Sequence, residues 1–259
     1  MTKTHYLVLF LAFALFLGLF LGFDTKPSGQ KTVERSRAIQ GESTSFESLL
    51  SDAKAQLTAS QKTAVAELEQ KSASAKNDSE RIQLYKQLSG LWYGLNHLAV
   101  AGSYAEQSAS IENADSSWSV VGATFFNALL ATQDPAARSY CADHAVKAFE
   151  SAASLNPTKV EHRVNLALVY AENPKPDNPM QAVLLLRELE SKHPENPAVY
   201  NALGRLAIKT GQWQRAIDRL EKAWSLDKKN PNTPCLLAKA YEGAGQMDKS
   251  AEYAKICNK

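Results

Sequence analysis

Asn201, Arg205 and Lys209 stand four residues apart in a stretch rich in helix-forming side chains, and that spacing sets them along one ridge of a helix. Asn232, Lys239 and Glu242 follow on the next such stretch, with Lys239 thirty-four residues after Arg205. A guanidinium and an ammonium side by side can hold a carboxylate or an acidic peptide, while an amide such as Asn201 can hydrogen-bond the peptide backbone. The chemistry on offer is therefore recognition of a protein or peptide partner. The competing reading is a solvated helix face that binds nothing.

Bond-making chemistry finds no residues to carry it. The five histidines, His5, His97, His144, His162 and His193, show no H-E-x-x-H or other paired spacing and read as ordinary surface or helix-end residues. No G-x-x-x-x-G-K-[ST], G-x-G-x-x-G or G-x-S-x-G pattern occurs. The sequence thus supplies no catalytic residue, no metal-ligand set, and no cofactor or small-molecule site. Cys141, Cys235 and Cys257 form no C-x-x-C pair, which removes the zinc and haem-attachment signatures. An antiparallel helix pair would bring Cys235 and Cys257 together. Two readings follow, a disulfide in an exported domain or two small buried thiols, and the thiols are preferred.

The elements that must hold these residues are helical hairpins. Residues 197–230 read as two amphipathic helices. Tyr200, Leu203, Leu206 and Ala207 lie on the core-facing stripe of the first; Trp213, Ala216, Ile217, Leu220, Ala223 and Trp224 lie on that of the second. Asn196-Pro197 is a cap-then-proline start, matched by Asp134-Pro135, Asn178-Pro179 and Asn230-Pro231. Gly211 ends the first helix. Small Gly204 and Ala216 let the two axes approach, so that Leu203 and Leu220 interdigitate. The pattern then repeats at a fixed period: Pro197 as Pro231, Leu203 as Leu237, Ala207 as Tyr241, Gly211 as Gly245. No stretch alternates at period two, so no sheet is expected.

Tyr200, Leu203-Gly204, Ala207, Gly211, Ala216, Leu220 and Ala223 make 197–230 resemble a tetratricopeptide repeat (TPR), and Leu237-Ala238, Tyr241 and Gly245 carry the resemblance into 231–259. Leu166-Ala167, Tyr170, Ala182, Leu186, Leu189 and Pro194 give a further copy in 160–196, with extra residues in its turn, NPKPDNP (173–179). Ala145, Phe149, Ala152 and Pro157 mark 116–159. Leu88, Trp92, Ala101 and Ala105 mark a weaker copy in 82–115. The resemblance implies an all-α, right-handed solenoid of hairpins over 79–259, whose first helices line a concave groove where peptides lie. Members of the family that hold chaperone tails clamp a terminal carboxylate with lysine and asparagine from these helices. Here the copy at 160–196 shows Val164 and Leu168 on that face, which argues for a mixed polar and apolar groove instead.

Upstream, Tyr6 to Phe23 is apolar and uncharged throughout. At about 1.5 Å per residue it spans roughly 27 Å, close to a bilayer's hydrocarbon thickness. No A-x-A-like cleavage site follows, so a single uncleaved transmembrane helix is expected, with 1–23 as signal anchor. The basic residues after the span favour a cytoplasmic carboxyl side. The very short basic amino terminus favours export, and the exported, periplasmic side is preferred. Residues 24–43 read as a polar linker. Residues 44–78 read as a helical cap opening on a Thr44–Glu47 capping box. The net charge of +2 gives no push toward nucleic acid. The function expected is a membrane-tethered scaffold that binds a protein or peptide through its groove, in the manner of an envelope assembly factor. The alternative is a structural subunit acting through self-association. An enzyme is not expected.

Overall fold

The structure, a computed structural model, describes residues 44–257. These residues form twelve helices: α1 (Phe46–Ala55), α2 (Ala59–Ala73), α3 (Asp78–Gly94), α4 (Leu98–Glu112), α5 (Asp115–Ala131), α6 (Pro135–Leu155), α7 (Val160–Glu172), α8 (Gln181–Lys192), α9 (Pro197–Lys209), α10 (Trp213–Leu226), α11 (Asn232–Gly243) and α12 (Met247–Cys257). Among the described residues the β-type pairing is one isolated bridge, Lys175–Asn178, inside the long α7–α8 turn.

Local chemistry explains several of the helix ends. Asn77, Asp134 and Asn196 each accept a first-turn backbone N–H, and Pro135 and Pro197 occupy the first turn, where a missing N–H is harmless. Gly211 and Gly245 follow α9 and α11 at φ of +68° and +75°, the left-handed geometry that stops a helix. Three expected starts move. Helix α1 begins at Phe46, so the capping-box register at Thr44 is one residue early; a true box sits at Thr58 and Gln61 before α2. At Asn178-Pro179 the chain is still turning, and α8 begins at Gln181 with no side-chain cap. At Asn230-Pro231 the asparagine accepts the N–H of Asn232, as Asn196 accepts that of Ala198, but α11 starts at Asn232, one residue after the expected proline.

Successive helices pair antiparallel: α3 with α4, α5 with α6, and so on to α11 with α12. Each second helix also packs on the next first helix, and first helices α5, α7, α9 and α11 touch in series. Helices α1 and α2 pack on α4 and α3. The apolar core is a chain of four clusters, centred on α1–α4, α4–α8, α7–α9 and α9–α12. Each buried Leu or Phe in them contributes roughly 1.5–3 kcal/mol. This all-helical stack is a TPR-like solenoid.

The core faces differ in detail from the expected stripes. In α9, Val199, Tyr200, Ala202, Gly204 and Ile208 are buried, whereas Leu203, Leu206 and Ala207 are half-buried. A first helix has neighbours on several sides, so two faces are covered rather than one stripe. In α10 the buried set is Ala216, Ile217, Leu220 and Ala223, with Trp213 and Trp224 at the margin. Leu220 nests on Gly204 rather than between larger side chains: a β-carbon on Gly204 would stand 2.5 Å from Leu220 Cγ.

No helix among the described residues is long and apolar enough to cross a membrane. The Tyr6–Phe23 span and the 24–43 linker lie outside the described residues.

Candidate functional site

Three first helices, α7, α9 and α11, line an open cavity of about 330 Å³. Helix α7 contributes Val164, Asn165 and Leu168; α9 contributes Ala198, Asn201, Ala202 and Arg205; α11 contributes Asn232, Cys235 and Leu236, with Asn230 at the loop before it. Helices α9 and α11 supply positions i, i+3 and i+4, and α7 supplies i, i+1 and i+4, so each set shares one face. Val164 and Leu168 make one wall apolar, and Arg205 is the one charged side chain among these lining residues.

Of the six expected partner-binding residues, three line the cavity and three do not. Asn201 is half-buried there, and its amide oxygen already accepts from Thr233 Oγ1 of α11 at 3.0 Å. What it can offer a ligand is its N–H donors. Arg205 is half-buried at the cavity wall and has no ion-pair partner among the described residues. Asn232 is exposed at the mouth. Lys209 is engaged elsewhere: its Nζ donates to Glu172 Oε2 and to the Ala171 carbonyl, both at 2.7 Å, bracing α9 against the end of α7. Lys239 and Glu242 are exposed further along α11, beyond the cavity lining.

Asn165, Ala198 and Cys235 belong to the same wall, and spacing in fours does not reach them; Leu236, four after Asn232, belongs there too. That spacing follows one ridge and misses the i+3 neighbours. Cys235 also carries a disulfide to Cys257, with the Cα atoms 4.9 Å apart, which corrects the preference for two buried thiols. Both cysteines are half-exposed, and the hairpin sets the end of α12 beside the first turn of α11. Cys141, in α6, is the buried thiol, and burial pushes its pKa up to about 12.

Polar groups elsewhere tie repeats together. His162 of α7 is fully buried, not a surface residue, because its Nε2 lies 3.0 Å from Asp115 Oδ2 in the first turn of α5. That hydrogen bond, aided by Asn156 and Lys159, holds the Asp115 carboxyl below its usual pKa against the opposing effect of burial. His144 of α6 pairs with Glu106 of α4 at 2.6 Å. His97 and His193 sit at helix ends, and His5 lies outside the described residues. No three His, Cys, Asp or Glu side chains converge as metal ligands among the described residues.

No protein-family model and no curated protein matches this chain. Solved structures do. The chain is similar to TTC0263, a thermophilic TPR protein of Thermus thermophilus, at 17% identity over 70% of this chain and 91% of that one, with a TM-score of 0.50. It is similar to a chain of the APC/C hetero-tetramer Cut9-Hcn1 at 16% identity over 81% of this chain and 38% of that one, also at 0.50. A MamA fragment from Desulfovibrio magneticus RS-1 matches at 18% identity and a TM-score of 0.41, over 68% of this chain and 93% of its own. What the first two share with this chain is the fold, a stack of tetratricopeptide-type helical hairpins.

Proposed function

We propose that this chain is a protein-binding scaffold that takes an extended segment of a partner into the cavity between α7, α9 and α11. Arg205 would pair with a partner carboxylate, and Asn201 and Asn232 would hydrogen-bond its backbone. Val164, Leu168 and Leu236 would receive an apolar side chain. The observation that carries this is Arg205 itself, a half-buried residue with no ion-pair partner among the described residues, on the wall of a half-apolar cavity. A charge in that setting is costly to desolvate unless a partner supplies the counter-charge. Of the matched structures, Cut9 is a chain solved in a hetero-tetramer with Hcn1.

In this reading Tyr6 to Phe23 tethers the scaffold to a membrane, 24–43 is the linker, and α1 and α2 cap the stack. The Cys235–Cys257 disulfide supports placing the helices on the exported side, because disulfides persist in oxidising compartments. A compartment-sensitive reporter fused to the carboxyl end tests that side.

The groove itself is tested by crosslinking in native membranes. A photo-reactive residue at position 232 should capture a partner. The double reversal Arg205→Glu with Lys239→Glu should cut the yield about tenfold, the scale of one lost charge-assisted contact. The melting temperature should be nearly unchanged, since both side chains leave the core alone. Undiminished capture by the double variant would rule out the basic contact. Light scattering that finds a defined oligomer would point to self-association instead.

A further inference from the structure

Upstream of the cavity the first-helix face changes character. No charged residue occurs from Ser116 to Gln133, which covers α5 after its first residue, nor from Gln87 to Ala105, which covers the second half of α3. Yet these helices face solvent. Tyr93 is 49% exposed, Val120 58% and Leu130 43%, and Ala123 and Asn127 between them are exposed too. An exposed stretch of this length without charge is unusual for a surface helix and is a candidate contact face; on α3 it begins directly after Lys86, which pairs with Glu112.

Two glycines sharpen the point. Gly90 and Gly94 lie in α3, and a β-carbon added at either would meet nothing within 4 Å. Gly90 sits inside the helix, where glycine is less favourable than alanine, Gly94 is its last residue, and the packing of this stack asks for neither. Bare backbone there lets a partner approach closely.

The patch lies on first helices that lead to the cavity. Asn127 Nδ2 donates to Tyr93 Oη at 3.5 Å, linking α5 to α3, and α5 touches α7, whose Leu168 lines the cavity. From α3 to α11 the first helices therefore run from uncharged, through apolar Leu168, to cationic Arg205 with Lys239 beyond it. First helices spaced roughly 9 Å apart give a path of roughly 36 Å, which an extended chain covers in about eleven residues.

We infer that the occupant of the first-helix face is a partner segment with two unlike halves: one uncharged and rich in small or apolar side chains, seated on α3 and α5, and one acidic, seated against Arg205. This rests on the groove reading above and adds the partner's composition. Uncharged wall selects against charge by desolvation cost, and the cationic end selects for carboxylate.

The test uses the full chain in detergent and two fluorescent synthetic peptides of about eleven residues. The first joins an Ala/Gly/Leu half to an Asp half; the second replaces the Ala/Gly/Leu half with alternating Lys and Glu. The first peptide should bind about tenfold tighter than the second. Ala123→Glu, at an exposed site, should weaken the first peptide about tenfold and leave the second unchanged, while Arg205→Glu should weaken both. Circular dichroism should show both variants folded. If Arg205→Glu weakens binding but Ala123→Glu does not, the composition inference fails and the groove stands. If neither variant matters, both fail. A photo-crosslink through position 123 to a second copy of this chain would overturn the inference by making the patch a self-association face.

Discussion

Glu106 shows how one side chain sets the behaviour of an interface between repeats. It projects from α4, with His144 Nδ1 2.6 Å from one carboxylate oxygen and Lys147 Nζ 3.1 Å from the other, both on α6. Burial alone would raise its pKa. The hydrogen bonds and charges of His144 and Lys147 outweigh burial and hold it below the ordinary 4.5. A depressed carboxylate adds stability that is present above the unfolded value and is lost as pH falls through the folded one. Glu106→Gln should therefore cost about 1–2 kcal/mol at neutral pH, the scale of charge-assisted hydrogen bonds to a partly buried group. That deficit should shrink as pH drops below 4.5. Urea midpoints of both proteins across that range check it; a deficit that stays constant would mean that the charge on Glu106 does nothing for the α4–α6 contact.

Among the elements, α12 is the least anchored. It has no fully buried residue. It is held by Tyr253 stacked on Tyr241 at 5.6 Å, by Lys249 Nζ 5.0 Å from the centre of the same ring, and by the Cys235–Cys257 bridge, which closes a loop of 22 residues. A loop of that size is worth about 3 kcal/mol in the unfolded-chain account. Reduction, or Cys257→Ser, should let α12 open locally: its amides should exchange about a hundredfold faster or more, while those of α5 and α6 stay protected. Equal exchange with and without reductant would mean that packing alone holds the helix. The hairpins themselves are the legible part of the sequence, because the Leu203/Leu237 and Gly211/Gly245 pairs encode each unit locally. Less legible are features that depend on how one hairpin meets the next. Lys209 reads as free on its ridge, yet the approach of α9 to α7 gives it Glu172. His162 reads as a surface residue, yet α5 supplies Asp115. The α8 start slips because the long turn, not the Asn-Pro pair, decides where helix resumes. Arg205 and Asn201 are legible because helical spacing alone places them.

At the scale of the molecule, the core is a row of clusters rather than one centre, so stability should be local and additive along the stack. Gly204 tests this, since Leu220 of α10 occupies the space its side chain would fill. Gly204→Val forces that contact apart and should cost about 1–3 kcal/mol. In a nearest-neighbour stack the loss falls on α9–α12, which share the cluster of Ile208, Leu220, Leu237 and Tyr241. Helices α1–α4 have their own cluster around Leu88, Trp92 and Val65 and should keep their protection. Native-state hydrogen exchange on the variant, resolved by residue, separates the two accounts. Amides of α9–α12 that weaken alone fit the row of clusters. If amides around Trp92 weaken by the same free energy, the stack opens as one unit, and a partner bound at Arg205 would then steady the far end as strongly as the near one.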